Sequence, residues 1–390
     1  MSIYLDNAAT TRVAPEVLEA MLPFFTEEYG NAGSIHHIGR KAADAIQTAR
    51  AQTATLFGTT PEHIVFTSGG SESNNMVFKG LRDLLLESGK THIIVSAIEH
   101  DSVLKAAERL TKDGFDITYI QPDATGVVAP KLIEAALRED TGLVSVMYAN
   151  NEMGAVNDIN TIGGICKKHF VLFHTDCVQA AGQYPIEVDN MGIDFASISG
   201  HKIHAPKGVG ALYVRDTNLS PLICGGAEQE YGLRGGTENV PGIVGLGAAC
   251  GIISNSIEED VTLVSTLKQR FYMTLCEELK EHGTDTGVIH INGMSVIHPG
   301  KVLNITVDGV DGETLLLMLD AKGICVSAGS ACKSHEAEPS HVLTAMGLTK
   351  EDARSSVRIS FSKFNTVEEV AEAARIFAFC VLALRKHETE

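Results

Sequence analysis

The chain has 390 residues, 44% of them hydrophobic, no tryptophan, and a formal net charge of −18 at neutral pH. That length supplies a large core shared between lobes, and the acidic balance argues against a nucleic-acid-binding surface, which needs a cationic footprint. The opening "MSIYLDNAATTRVAPE" lacks a basic start and an apolar h-region, the run "PGIVGLGAACGII" is too short to span a bilayer, and the eight cysteines include no CxxC pair, so a cytoplasmic protein with free thiols and no membrane contact is expected.

From about residue 63 to 214, β-rich runs alternate with helix-like segments. The runs are "HIVFTS", "THIIVSA", "DITYIQ", "GLVSVMYA", "FVLFHTD", "FASISG" and "VGALYV", and amphipathic stretches such as "NNMVFKGLRDLLLES" and "DSVLKAAERLTKD" lie between them. The alternation predicts an α/β fold with a mostly parallel sheet. Continuously apolar strands suit a sheet covered on both faces. Past about residue 255 the texture changes. "VSTLKQRFYMTLCEELKEHG" reads as a long helix and "KVLNITVDG" as a strand. Thr366 and Glu369 form a capping-box pair before an apolar face of Val367, Val370, Ala371, Ala374, Phe377, Ala378, Val381 and Leu382. This half reads as a smaller α+β domain. The sequon at Asn304 lies in a strand-like run and is read as chance.

Ligands of open α/β sheets bind beyond the carboxyl ends of the strands. Polar residues concentrate there: "TSGGSESNN", His100, Asn150 and Asn151, "HTDCVQ" and "SGHK" follow successive strands. Lys202 closes the last of these turns. A Schiff-base lysine needs a cofactor beside it. Pyridoxal phosphate also needs a carboxylate at its ring nitrogen, which Asp176 can supply, and phosphate donors, which "SGGSES" can supply at a helix start. His100 can stack on the ring. Structural roles fit the same residue types: Asp176 as an N-cap, the glycine-serine stretch as a tight turn, His100 as a core histidine. His174, Asp176, Cys177, His201 and His204 match no metal-ligand spacing, so no metal is expected.

Cys332 lies in "VSAGSACKSHEAEPS", a stretch of small and charged residues without core patterning. A thiol there sits on a segment built to move, since a glycine- and serine-rich loop permits a swing that a helix forbids, and its polar, glycine-flanked setting argues against an inert buried cysteine. The other seven cysteines are read as structural members of helices and strands, Cys177 included.

The ordered set "YLDNAATT", "FTSGGSESNN", Glu99-His100, "NNEMGAV", "HTDCVQAAG", "SGHKIHAPKGVGALYVR", "RGGTENV", "SAGSAC" and "EPSHVL" resembles the NifS/IscS-like branch of the pyridoxal-phosphate-dependent cysteine desulfurases, over essentially the whole chain. The resemblance implies a fold-type I transferase. Its large domain (17–255) has a seven-stranded, mostly parallel sheet. Its smaller α+β domain (256–390) carries the cysteine loop at about 326–340, and an N-terminal arm (1–16) joins that domain. It implies Lys202 as the cofactor lysine, Asp176 at the ring nitrogen, Gln179 and Asn151 at the ring hydroxyl side, and His100 over the ring. Gly70, Ser71, Ser199 and His201 hold the phosphate, and Thr237 reaches the cofactor phosphate of the other subunit in a homodimer. Arg358 clamps the substrate carboxylate, with Asn31 also assigned to substrate. The implied reaction takes sulfur from L-cysteine, leaves alanine and stores the sulfur on Cys332 as a persulfide for an acceptor protein in iron–sulfur assembly or thiolation. A selenocysteine lyase or another pyridoxal-phosphate enzyme of the same fold is the alternative. The chain departs from the family pattern at "GNAGS" (Asn31 to Ser34), at Lys333 after the nucleophile, at Tyr231, and in a short tail after Phe364. These departures leave the acceptor open.

Overall fold

The chain starts with a two-residue strand, β1 (Ile3–Tyr4), and the helices α1 (Pro15–Met21), α2 (Pro23–Thr26) and α3 (His37–Phe57). The structure, a computed structural model, describes residues 2–216, 219–226, 229–328 and 339–388. Each apolar run expected between residues 63 and 214 forms one strand: β2 (Ile64–Thr67), β3 (His92–Ser96), β4 (Asp116–Ile120), β5 (Thr141–Ser145), β6 (Leu172–Asp176), β7 (Phe195–Ser199) and β8 (Gly210–Val214). The connecting helices are α4 (Gly70–Glu87), α5 (Asp101–Leu110), α6 (Pro130–Ala136) and α7 (Ile159–Lys168).

The strands pair in the order β2-β8-β7-β6-β5-β3-β4, and only the β8 pairings are antiparallel. Every residue of β2, β3, β5, β7 and β8 is buried, which explains their unbroken apolar character. This topology puts the carboxyl ends of β2, β3, β5, β6 and β7 along one edge, so the polar turns picked out from sequence converge there. Gly210 sits on that edge opposite Ser199 and Thr67. A Cβ on Gly210 would fall 2.6 Å from the Gly69 Cα, so glycine is needed for the turn before α4 to close onto the sheet.

The second half begins with α8 (Val240–Glu281), a helix of 42 residues. It absorbs "PGIVGLGAACGII" and the expected helix at residue 264 into one element, and the expected division at 255 falls inside it. By length and composition it could cross a membrane. Its packing is that of a core helix: Ile243, Leu246, Ala249 and Ile253 join the core of the large sheet, while Val264, Leu267, Phe271 and Leu275 join a second core. A Cβ on Gly247 would lie 2.4 Å from the Ala49 Cα, so the missing side chain lets α3 and α8 touch backbone to backbone.

The remaining elements are β9 (Ile289–Asn292), β10 (Val302–Val307), α9 (Gly312–Ala321), β11 (Ile324–Cys325), α10 (His341–Ala345), α11 (Lys350–Arg354), β12 (Ser356–Ser360) and α12 (Val367–Glu388). β12-β10-β9 form an antiparallel sheet, and β1 pairs in parallel with β11. Edge-on contacts of Phe271 with Phe361 and Phe377 tie α8, the stretch after β12 and α12 together. The capping box is present in both directions: Glu369 N–H donates to Thr366 Oγ1, and Thr366 N–H donates to Glu369 Oε2, each at 3.1 Å. Asn304 of the sequon is buried in β10.

Candidate active site

The edge defined by the strand ends opens into a cavity of about 560 Å³. Its wall includes Lys202, Asp176, His100, Gln179, Asn151, Gly70, Ser71, Ser199, His201 and Arg358, so ten residues singled out from sequence meet around one space. Asn31 and Thr237 do not line it. Asn31 instead accepts a hydrogen bond from Gly33 N–H at 2.8 Å, holding its own turn. Cys332 lies outside the described residues.

Lys202 ends a single 3₁₀ turn (Gly200–Lys202) that follows β7. Its Nζ donates to the carbonyls of Ala8 (2.6 Å) and Ala9 (2.8 Å). The opening "DNAATT" therefore forms a wall of the cavity, which its residue types gave no reason to expect. Thr11 N–H donates to the His201 carbonyl at 2.8 Å, and His201 Nδ1 meets Thr10 Oγ1 at 3.1 Å. Burial, then the charges of Lys202, Lys207 and Lys301, push the His201 imidazole down to about 4, so it is neutral at physiological pH.

Asp176 is the last residue of β6 and is buried. One carboxylate oxygen accepts from Val178 N–H at 2.9 Å, and the other accepts from Asn74 Nδ2 at 2.8 Å. No helix follows β6, so Asp176 caps none; its bond to Val178 closes a turn at the strand end beside its place in the cavity wall. Asn74 Nδ2 also donates to Ser102 Oγ at 2.9 Å. Ser102 Oγ in turn lies 2.8 Å from His100 Nδ1, which also accepts from Ser102 N–H at 3.1 Å. In the neutral ring these bonds put the His100 proton on Nε2. Neither Asn74 nor Ser102 was singled out from sequence. Each acts through partners far away along the chain.

Arg358, on β12, is 1% exposed. Its Nη2 donates to Asp6 Oδ1 at 2.8 Å and its Nη1 to the Asn151 carbonyl at 3.0 Å, while its buried Nε has no partner among the described residues. Lys301, which sequence also missed, is buried behind the cavity and donates to the Lys202 carbonyl at 3.3 Å. Burial, then Lys202 and Arg358, push its amine down to about 7. Glu99, beside His100, is fully buried. Its carboxyl is pushed well above the ordinary range by burial and then by Asp176, and among the described residues only one of its oxygens has a partner, the Met147 N–H. A protonated acid suits that setting.

The thiols and the discarded metal set are also resolved. His174 meets Ser145 Oγ at 2.8 Å and Ser197 Oγ at 3.2 Å and is a satisfied core histidine. Among the described residues no three His, Cys, Asp or Glu side chains converge as metal ligands. Cys177 is buried and its thiol is pushed up by burial. Cys224 corrects the expectation for the thiols. It is exposed and lies outside any helix or strand, because glycines follow it where a regular element would need side-chain packing.

The cavity fits pyridoxal phosphate. Ser68, Gly69, Gly70 and Ser71 line it at the N-terminus of α4, where the helix dipole and the N–H groups of the first turn favour a phosphate. Asp176 supplies a buried carboxylate, and Lys202 an amine that donates to two backbone carbonyls. Gln179 donates to the Ala8 carbonyl at 2.9 Å, and its other amide atom, Oε1, is buried in the wall without a partner among the described residues. An aromatic ring carrying polar substituents matches this donor set.

The profile of the family "Aminotransferase class-V" matches residues 3–372. The chain belongs to the class-V aminotransferase family. Within that family it is 44% identical to "Cysteine desulfurase IscS" of Methanosarcina thermophila over 385 residues, covering 98% of this chain and 93% of the relative. It is also 44% identical to "Cysteine desulfurase IscS" of Anaeromyxobacter dehalogenans over 389 residues, with 98% and 93% covered. Among solved structures, a "NifS-like protein" superposes with a TM-score of 0.88 at 37% identity, covering 98% of this chain and all of that one. "SspA in complex with cysteine" superposes at 0.78 with 38% identity, covering 94% and 100%.

Proposed function

We propose that this chain is a cysteine desulfurase, which removes sulfur from L-cysteine and releases L-alanine. The observation that carries the reading is the cavity that joins Lys202, Asp176 and the buried Arg358, in a chain whose near-full-length relatives bear that name. Bound pyridoxal phosphate supplies an electron sink for the bond broken at the substrate Cα. Arg358 binds the substrate carboxylate through parallel N–H groups. Lys202 Nζ moves the Cα proton. Asp176 holds a proton at the ring nitrogen, and His100 offers Nε2–H toward the substrate. The Cys332 thiolate takes the substrate sulfur: an S–S bond forms as the C–S bond breaks, and the electron pair and a proton stay with the departing alanine.

The flanks of the Cys332 segment support this assignment. On one side Ser327 pairs through its backbone with Arg358, at 3.1 and 2.7 Å. On the other, Ser340 bonds to Glu152, and His341 Nε2 meets the Glu99 carbonyl at 3.1 Å. Both anchors lie next to residues of the cavity. The reading extends to a cytoplasmic homodimer, in which Thr237 serves the partner's cofactor, and to transfer of the sulfur to an acceptor protein in iron–sulfur assembly or thiolation. It also treats residues 17–255 and 256–390 as the two domains, with 1–16 as an arm. The test is alanine release from L-cysteine by purified protein supplied with pyridoxal phosphate. Stoichiometric or catalytic alanine supports the reading, and its absence in cofactor-loaded protein refutes it.

A further inference from the structure

The contact between Arg358 and Asp6 carries a consequence for substrate capture, and it rests on the desulfurase reading. A buried guanidinium costs several kcal/mol of desolvation unless a carboxylate compensates it. Asp6 is the carboxylate paired with it, at 2.8 Å. The backbone around Asp6 is fixed to the same strand that carries the arginine. Ser360 N–H donates to the Leu5 carbonyl at 2.7 Å, Asn7 Nδ2 to the Ser360 carbonyl at 2.9 Å, and Ala8 N–H to Ser360 Oγ at 2.8 Å. Asp6 therefore cannot retreat by a shift of its main chain.

We propose that Asp6 is an internal competitor of the substrate carboxylate: it occupies one arm of the Arg358 fork in the ligand-free site and sets how tightly the site holds its amino acid. An incoming carboxylate needs two parallel N–H groups for fork-to-fork binding. Nη2 is engaged by Asp6 and Nη1 by the Asn151 carbonyl. The substrate either displaces Asp6 or shares the fork with it, and two like charges at one site in a low-dielectric cavity repel. When alanine leaves, Asp6 takes the arginine back, so the buried cation is never unpaired. Asp6 is a positioning residue that acts through Arg358.

3-Mercaptopropionate isolates this step, because it has the carboxylate and thiol of cysteine but no amino group to react with the cofactor. Its binding to cofactor-loaded protein is measured by titration calorimetry, beside KM and kcat for L-cysteine. Asp6→Asn keeps the shape and one acceptor but removes the charge. It is expected to tighten mercaptopropionate binding about tenfold and to lower KM alongside, consistent with one charge-assisted contact. Asp6→Glu, which restores a carboxylate, should return affinity toward wild type. Equal or weaker binding in Asp6→Asn, with a melting temperature within the range of Asp6→Glu, overturns the inference. Wild-type protein that binds mercaptopropionate through Arg358 but releases no alanine from L-cysteine defeats the desulfurase reading alone, and the Asp6→Asn comparison then still decides the competition.

Discussion

Asn74 and Asp176 are 102 residues apart in sequence and share a 2.8 Å hydrogen bond in which the amide donates to the carboxylate. The same amide reaches Ser102, and through it His100, so one side chain orients both the group expected at the cofactor's ring nitrogen and the group expected over the ring. Hydrogen bonds to charged groups contribute about 1.5–3 kcal/mol. Asn74→Ala should therefore weaken pyridoxal phosphate binding by about tenfold or more. Fluorescence titration of the apoprotein measures this, and unchanged affinity would remove Asn74 from the site.

Lys301 predicts a pH dependence of stability. Its amine titrates at about 7 in the fold, against 10.5 for an unperturbed lysine. As pH falls through that window the unfolded chain takes up the proton first, so stability drops toward pH 7 and this group adds no further change below it. Lys301→Met should raise the melting temperature at pH 7, with a gain that shrinks toward pH 10. A melting temperature that falls at pH 7 would show that the bond to the Lys202 carbonyl outweighs the burial of the charge.

Arg50 and Glu230 form a buried two-pronged pair, at 2.8 and 2.7 Å, and Glu230 also accepts from Phe66 N–H at 2.7 Å. Glu230 adopts a left-handed backbone with φ of 43°, so this pair fixes a strained turn shortly before Thr237. Arg50→Ala should cost about 3–5 kcal/mol, the usual loss when one member of a buried pair is removed. Urea denaturation measures it. A loss under about 1 kcal/mol would mark the pair as exposed in solution.

The thiols should separate by reactivity. Cys166 and Cys250 are pushed up to about 12 by burial, whereas Cys224 is exposed. Brief treatment of native protein with iodoacetamide should modify Cys224 first among the described cysteines. Peptide mapping reads the order, and early labelling of Cys166 or Cys250 would contradict the burial.

The strands of the large sheet were legible because a sheet covered on both faces demands unbroken apolar runs, and its polar strand ends stand out against them. The continuity of one helix, α8, across the change of texture at residue 255 was not. A polar stretch around Asn255 to Asp260 interrupts the apolar pattern of α8, yet the helix runs through it because each half packs on a different core. The two-residue β1 and β11 are too short to carry a period. In the site, Lys202, Asp176 and His100 were visible at the strand ends. Asp6, the Ala8 and Ala9 carbonyls, Asn74 and Lys301 were not, since their roles come from tertiary neighbours and, for the alanines, from the main chain. Asn31 and Thr237 lie away from the cavity; Thr237 was assigned to a second subunit's cofactor, so its role is read only in an assembly.

The central claim is that an amine at residue 202 and a thiol at residue 332 serve one sulfur-removing site. Mass spectrometry of cofactor-loaded protein after brief incubation with L-cysteine tests it directly, with borohydride reduction of a parallel sample to trap the cofactor. The account predicts one or more added sulfur atoms on the peptide containing Cys332, the reduced cofactor on the peptide containing Lys202, and alanine in solution. Sulfur on another cysteine, or cofactor fixed to another lysine, would contradict it.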